Sequence, residues 1–224
     1  MAERLATGPN TTVVIVAEFG SDVQSYARAF AELTIPRPSD CPHCEAAGRL
    51  IGHGSYPRSV VDPLQAIPIR VKRWLCAACR QTVSILPTFC VPWRHYRASV
   101  IQTVLDGRFL GHASWSAIRG RFHPADLPTT TTCREWVRTF AEHSPAYLHP
   151  LLRQLAHWQL GPGKLEVAVA EVATRAKVPE QLLAAVPHLV AFLHGHGATV
   201  TTGVSRWLPT LWQWGHAGRL GRLV

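Results

Sequence analysis

Hydrophobic positions follow strand spacing in two segments of the first half of the chain and helical spacing over much of the second half. The β-branched run 11–17 predicts a short strand. Apolar residues at helical spacing predict a helix over 22–33, and Ile35-Pro36-Arg37-Pro38 ends it. Residues 67–72 alternate apolar and polar side chains, which predicts a second strand.

Helical patterns dominate from residue 96 onward. Apolar residues of 96–109 fall on one face of a helix that Gly107 and Gly111 are expected to end. Ser114 is a suitable N-cap for a short helix that follows. The sequence Thr-Cys-Arg-Glu, a capping-box pattern, predicts a further helix over 132–142.

Three more apolar stripes at helical spacing follow residue 146, and we expect them to form a core. The short helix after Ser114 and the helix over 132–142 fit a helix-turn-helix, and residues 168–191 also fit a second one. The predicted class is α+β. A small N-terminal β-α element comes first. Two Cys-x-x-Cys motifs at 41–44 and 76–79 then indicate a four-cysteine zinc ribbon, and an all-helical region that contains a helix-turn-helix follows. The predicted domains are 1–38 (strand and helix), 39–92 (zinc ribbon), 93–145 (helix-turn-helix-like) and 146–224 (C-terminal helices).

The cysteines carry the most specific signal. Cys41-Pro42-His43-Cys44 and Cys76-Ala77-Ala78-Cys79 are two Cys-x-x-Cys motifs with 31 residues between them. Four thiolates suit one structural Zn²⁺ with no open coordination position, so Cys41, Cys44, Cys76 and Cys79 are the predicted ligands. Buried thiols or a redox pair are the alternatives. Cys90 and Cys133 lie outside the paired spacing and are predicted to be core residues.

The gap between the motifs is longer than the usual separation of roughly 15–20 residues. A β-hairpin in the insert explains the excess length, with turns predicted at Gly52-His53-Gly54 and at Asp62-Pro63.

Composition indicates a globular chain with 47% hydrophobic and 17% charged residues. No apolar run is long enough to span a membrane, and the first twelve residues lack the pattern of a secretory signal. Four thiols committed to a metal favour a reducing compartment, so we expect a cytoplasmic, nucleoid-associated protein.

Positive charge is concentrated in the middle of the chain. The net charge is +9, and residues 41–140 hold thirteen Lys and Arg against five Asp and Glu. Such a distribution is typical of a surface that neutralises phosphates, although a basic face without a partner is the alternative.

Several motifs together resemble a known family. They are Cys41-Pro42-His43-Cys44, His53-Gly54-Ser55-Tyr56-Pro57-Arg58, Arg73-Trp74-Leu75-Cys76-Ala77-Ala78-Cys79, Thr82-Val83-Ser84-Ile85-Leu86-Pro87 and Thr131-Thr132-Cys133-Arg134-Glu135-Trp136. Over roughly residues 13–142 the chain resembles the zinc-ribbon and helix-turn-helix amino-terminal part of bacterial transposases. It is still more similar to small bacterial proteins that carry this part alone, without a catalytic domain. The resemblance implies recognition of mobile-element DNA and zinc ligation by the four cysteines. The chain departs from the family in the connector 123–128, which is longer than the usual turn of three or four residues.

The predicted partner is double-stranded DNA. Phosphate contacts are expected from Arg70, Lys72, Arg73, Arg119 and Arg121, and approach to base edges from Thr131, Arg134 and Arg138. Because so few side chains give limited selectivity, we expect a homodimer, a second helix pair, or a transposase or ATPase partner to supply the rest.

Catalysis is not expected. Strand transfer by two metal ions needs a set of carboxylates, yet no Asp follows Asp126 and five Glu remain after it. The chain after residue 145 is also shorter than a typical domain of about 100–150 residues. The predicted function is therefore a transposition-associated accessory or transcriptional regulatory factor. The alternatives are a protein-interaction adaptor and an RNA-binding ribbon that stacks bases on Tyr56, Trp74 or Trp93.

Overall fold

The computed structural model describes residues 13–17, 22–32, 35–61, 66–122, 128–157, 177–195 and 207–217. They belong to two compact units, Met1–Arg97 and Ala98–Val224. The strands are β1 (Val13–Ala17), β2 (Leu50–Val61), β3 (Ala66–Cys76) and β4 (Thr82–Pro87). The helices are α1 (Val23–Ala31), α2 (Ala98–Phe109), α3 (Trp115–Arg119), α4 (Thr130–His157), α5 (Val178–Gly195) and α6 (Trp207–Ala217). The predicted α+β class is confirmed.

The first unit is built on a four-stranded sheet in the order β1-β4-β3-β2. Strands β2, β3 and β4 pair antiparallel, and β1 pairs parallel with β4. The strands predicted at 11–17 and 67–72 correspond to β1 and β3. In β3 the apolar Ile69 and Val71 are buried while Pro68 and Arg70 are exposed, as alternation requires.

The prediction of a turn at Gly52-His53-Gly54 is wrong, because these residues lie inside β2. Gly52 pairs with Trp74 and Ser55 with Lys72, so β2 holds one more residue than β3 between the two pairs. This is a β-bulge, and Gly54 has a φ of 74°, a conformation that glycine adopts without steric cost. The other predicted turn, Asp62-Pro63, lies outside the described residues.

Helix α1 covers the sheet. Its N-cap Asp22 accepts a hydrogen bond from the backbone N–H of Ser25 at 2.9 Å, and this bond lowers the pKa of the Asp22 carboxyl. Tyr26 is 1% exposed, donates its hydroxyl to the Arg70 carbonyl oxygen at 2.6 Å and meets Phe89 edge-on. Tyr26 thus attaches the helix to β3 by a polar contact and to the segment after β4 by an aromatic one.

The second unit begins with α2, whose apolar face is buried as predicted. Gly107 does not end this helix but lies inside it, where a Cβ would meet the Ile118 side chain at 3.1 Å. The glycine therefore allows α3 to approach α2 closely. Ser114 is the N-cap of α3, as predicted, and its side chain accepts a hydrogen bond from the Ala117 N–H.

Helix α4 differs from the prediction at both ends. It begins at Thr130, and Thr129 rather than Thr132 caps it, since the Thr129 hydroxyl accepts the Thr132 N–H at 3.1 Å. It continues to His157 through Pro145 and Pro150, so the predicted boundary at 145/146 falls within one helix. A proline in a helix leaves a carbonyl without its usual donor. For Pro145 this is the carbonyl of Ala141, four residues earlier; the Ser144 hydroxyl donates to the neighbouring Phe140 carbonyl oxygen.

Aromatic residues fill the core of the second unit. The Phe140 ring lies 5.6 Å from both the Phe109 and the Trp207 rings, so α2, α4 and α6 meet there. The candidate second helix-turn-helix at 168–191 lies partly outside the described residues, which resume at 177. No helix in the described part of the chain has the length and apolar character needed to cross a bilayer.

Candidate functional site

The two Cys-x-x-Cys motifs fold into the same backbone turn. In the first, the Glu45 N–H donates to the Cys41 carbonyl oxygen and the Cys41 N–H donates to the Ala46 carbonyl oxygen. In the second, the Arg80 and Cys76 N–H groups make the corresponding bonds, to the Cys76 and Gln81 carbonyl oxygens. The residue after each motif, Glu45 or Arg80, has a φ of 60° or 61°. This repeated turn aims each pair of sulfurs at the other.

The four sulfur atoms form a compact group, all within 4.8 Å of one another. The Cys41 and Cys79 Sγ atoms are 3.7 Å apart, and so are those of Cys44 and Cys76. In a tetrahedron with metal–sulfur distances of about 2.3 Å, the sulfurs would lie about 3.8 Å apart. The Cys41–Cys79 and Cys44–Cys76 separations match this value, and the cluster is compatible with a single metal ion.

The electrostatics of the cluster favour a thiolate at Cys76. Burial raises the pKa of the Cys41 thiol and raises that of Cys79 to about 12. Burial also acts against ionisation of Cys76, but the Cys79 and Ala78 backbone N–H groups and the neighbouring thiols outweigh it and lower the pKa of Cys76 to about 7. A bound cation would favour the ionised form of every sulfur.

Apolar side chains surround the sulfurs. Cys41 and Cys76 are fully buried with Leu50 and Val83, and Trp74 packs against this group. We call Cys41, Cys44, Cys76 and Cys79 the metal cluster and each Cys-x-x-Cys turn a knuckle. The metal cluster is therefore also part of a small hydrophobic core that joins the first knuckle to β2, β3 and β4.

Strand alternation separates the basic residues predicted on β3. Arg70 and Lys72 share one face, where the Arg70 guanidinium contacts the Ser55 hydroxyl at 2.8 Å and the Lys72 Nζ lies 5.4 Å from the Trp74 ring centre. Arg73 lies on the opposite face, with its guanidinium 5.6 Å from the Tyr56 ring centre. The three residues therefore do not form one row.

The predicted contacts in the helical unit are at the surface. Arg119 and Arg121 are exposed near the end of α3. Thr131, Arg134 and Arg138 are exposed along α4, at positions that share one face of a helix. Arg138 lies 3.8 Å from the Glu142 carboxylate, an exposed pair of the kind that contributes little to stability.

One further exposed arginine, Arg108, lies near the same tryptophan as Arg134 and was not among the predicted contact residues. The Arg108 guanidinium lies 5.4 Å from the Trp115 ring centre, and that of Arg134 lies 5.7 Å from it. Both distances are within the range of a cation–π interaction. We call Arg108, Trp115 and Arg134 the arginine–tryptophan cluster; it brings together α2, α3 and α4. Its signal in the sequence is the basic residue in the last turn of α2, which gives no indication of the partner ring.

Cys90 and Cys133 are buried and lie outside the metal cluster, as predicted. The Cys133 thiol points to the Pro128 carbonyl oxygen at 3.9 Å, and burial raises the pKa of both thiols. Both act as core residues.

Comparison with known proteins finds a family model that matches part of the chain. Residues 41–119 match a family model described as a domain of unknown function, DUF6431. No curated protein and no solved structure matches the chain. The matched segment starts at the first metal-cluster cysteine and ends at the last residue of α3, so it includes both knuckles, the hairpin and Trp115.

Proposed function

We propose that this protein is a zinc-stabilised DNA-binding protein that acts as a transposition-associated accessory or transcriptional regulatory factor. The arginine–tryptophan cluster is the observation that carries the proposal, because it groups exposed arginines from α2 and α4 around one ring of α3. Guanidinium groups held in this way present their donors to phosphate oxygens or to guanine edges.

The metal we assign is one Zn²⁺ per chain. An all-sulfur tetrahedral set suits zinc, and four protein ligands fill its coordination sphere. A catalytic zinc keeps a position open for water or substrate, so this ion would be structural and would take no part in catalysis. We also propose that the protein is not an enzyme, because few carboxylates follow Asp126 to hold catalytic metal ions. Its role would be to hold the two Cys-x-x-Cys turns together beside β2, β3 and β4.

Two basic surfaces support DNA as the partner. On the helical unit, Thr131, Arg134 and Arg138 would read base edges from one face of α4, while Arg119 and Arg121 would contact phosphates. On the sheet, Arg70 and Lys72 would add phosphate contacts from β3. Because the connector 123–127 lies outside the described residues, the helix-turn-helix itself is part of this proposal.

The link to mobile elements comes from the resemblance of the ribbon and helix motifs to transposase amino-terminal regions. A homodimer, or a transposase or ATPase partner, would supply the selectivity that a few arginines lack. The reduced thiolates of the metal cluster fit a cytoplasmic, nucleoid-associated protein.

The proposal is tested by fluorescence anisotropy with a random duplex over a range of salt concentrations. We expect affinity to fall steeply from low to physiological salt. Arg108→Gln and Arg134→Gln should each reduce the slope of log affinity against log salt by about 0.9 for each phosphate that the variant no longer neutralises. Arg138→Gln combined with Arg134→Gln should reduce the preference for sequences selected from a random pool.

Arg153→Gln is the matched control, because Arg153 is an exposed arginine on the same helix but more than five turns from Arg134. It should leave both the slope and the sequence preference unchanged. Absence of duplex binding by the zinc-loaded protein would refute the proposal and favour a protein-interaction adaptor.

A further inference from the structure

A further candidate site, lined by polar side chains, lies in the first unit. It is on the face of the sheet opposite to the face that carries Arg70 and Lys72. It is an open cleft of about 510 Å³, within the range of roughly 300–1,000 Å³ typical of small-molecule sites. Its lining comes from β2, β3, β4 and the segment after β4: Tyr56, Pro57, Arg58, Arg73, Ser84, Leu86, Trp93, Arg94 and His95. We call it the Arg73 cleft.

The bulge in β2 builds this cleft. One extra residue between Gly52 and Ser55 reverses which side chains face which side of the sheet. As a result Tyr56, which pairs with Val71, faces the same side as Arg73 and not the side of the metal cluster. Ser84 is the direct partner of Arg73 on β4 and faces this side as well.

Two donors in the cleft are buried without partners among the described residues. The Ser84 residue is 0% exposed, and its hydroxyl oxygen has no hydrogen-bond partner. The Arg73 Nε is also buried and has none. Buried polar groups in native proteins are normally satisfied, so an adjacent pair of this kind points to a ligand that accepts hydrogen bonds.

The charge of the cleft indicates an anion. Three arginines line it, and none of its lining residues is acidic. One of them, Arg58, donates to the Val91 carbonyl oxygen at 2.7 Å and also to that of Arg94, which fixes the segment that carries Trp93. The buried Nε of Arg73 is therefore available to donate a hydrogen bond to a bound ligand.

Aromatic rings indicate that the anion carries a planar group. Tyr56 flanks the Arg73 guanidinium, and Trp93 is 57% exposed at the edge of the cleft. Trp93 also has a φ of 59°, a conformation uncommon for a bulky residue. The backbone conformation at Trp93 thus places its large apolar ring in contact with solvent, beside the arginines of the cleft.

We propose that the Arg73 cleft binds one nucleotide, with its phosphate held by Arg73, Ser84 and Arg94 and its base stacked on Trp93. Arg and hydroxyl donors bind phosphate oxygens, and indole rings stack on any base. Bases in a duplex have no free face, so the ligand is either a free mononucleotide or an unpaired nucleotide of a single strand. This site goes beyond the proposed duplex binding and uses a different face of the sheet.

Isothermal titration calorimetry on the zinc-loaded full chain tests the proposal with four probes: thymidine 5′-monophosphate, 5′-phosphorylated hexathymidylate, thymidine and inorganic phosphate. Both nucleotide probes should bind, and each should bind at least about tenfold more tightly than thymidine or phosphate alone. Tighter binding of the hexamer than of the monophosphate would identify a single strand as the source, and equal binding would identify a single nucleotide unit.

Variants locate the site. Arg73→Gln and Trp93→Gly should each weaken thymidine monophosphate binding by about tenfold or more, and glycine suits the positive φ at position 93. Ser84→Ala should weaken it severalfold with little change in volume. Arg49→Gln changes an exposed arginine that does not line the cleft and should leave nucleotide binding unchanged; zinc content with circular dichroism checks the folding of each variant.

Three results would overturn the assignment: no binding of either nucleotide, phosphate binding as tight as the monophosphate, or unchanged nucleotide binding in correctly folded Arg73→Gln. These outcomes are separate from those of the duplex experiment, because Arg108, Arg134 and Arg138 do not line the cleft.

Discussion

Cys76 shows how one side chain can combine several roles. It is fully buried beside Leu50 and Val83, and its sulfur is 3.7 Å from that of Cys44. Its thiol also has a lowered pKa, since hydrogen bonds to the sulfur outweigh the effect of burial. Apolar neighbours, together with a few N–H groups directed at the sulfur, favour a thiolate that binds a metal over a thiolate exposed to water.

Replacing one ligand should therefore remove the metal. We expect Cys76→Ser to lower zinc content from one per chain to a small fraction, because a hydroxyl is a poor ligand and leaves a buried unpaired oxygen. Zinc is measured by atomic emission on protein purified without chelator. Cys133→Ser is the control: it changes another fully buried cysteine and should keep one zinc per chain. A wild-type content well below one would contradict the zinc assignment.

Helix α2 organises the second unit through polar groups as well as apolar ones. Asp106 accepts a hydrogen bond from the Trp207 indole N–H at 2.8 Å, and the Gln102 side-chain oxygen accepts the Leu208 N–H at 3.4 Å. Both acceptors lie one turn apart on α2 and hold the first turn of α6. Burial raises the pKa of Asp106 above its usual value of 3.8 in spite of the Trp207 bond.

This raised pKa predicts a pH dependence of stability. The folded state binds the Asp106 proton more tightly than the unfolded state, so the stabilisation is complete below about pH 3.8 and is lost as pH rises through the folded pKa. Asp106→Asn cannot ionise and keeps an oxygen for Trp207. The free energy of unfolding of the variant relative to wild type should therefore increase with pH over this window and then level off.

Urea unfolding followed by far-ultraviolet circular dichroism, at a series of pH values from about 3.8 to neutral, measures the difference. Other carboxylates titrate equally in both proteins and cancel. If the difference in free energy of unfolding between variant and wild type stays constant, or decreases with pH, ionisation of Asp106 does not destabilise the folded protein.

The two units rely on different sources of stability. Unit Met1–Arg97 combines a sheet with a sulfur cluster, whereas unit Ala98–Val224 contains an aromatic core around Phe140 and Trp207 and no metal cluster among its described residues. Because binding of a structural metal is coupled to folding, loss of the metal should affect the first unit most.

Chelation should separate the two responses. With excess chelator, we expect amide signals of the sheet and knuckles to collapse in two-dimensional NMR spectra, while those of α2, α4 and α5 keep their dispersion. Readdition of one equivalent of zinc should restore the lost signals. Retention of the knuckle signals without metal would mean that the small apolar cluster around Leu50 and Val83 is sufficient alone.

Local sequence signals predicted the structure well. The paired cysteines, the alternation in β3 and the Ser114 cap each depend on residues a few positions apart, and each is found in the structure. Predictions failed where distant residues decide. Gly107 looked like a helix end but provides room for Ile118, and α4 continues past Pro145 where a break was expected.

The sequence by itself determined the set of four sulfurs, the mixed α+β class and the central concentration of positive charge. Only the tertiary structure decided which basic residues share a surface. The bulge in β2 and the alternation of β3 send Arg73 to the cleft with Tyr56 and Ser84, and Arg70 to the other face. Helix packing likewise brings Arg108 and Arg134 to the same tryptophan. Spacing fixes the chemistry of neighbours along the chain, whereas strand register and helix packing fix which chemistries meet.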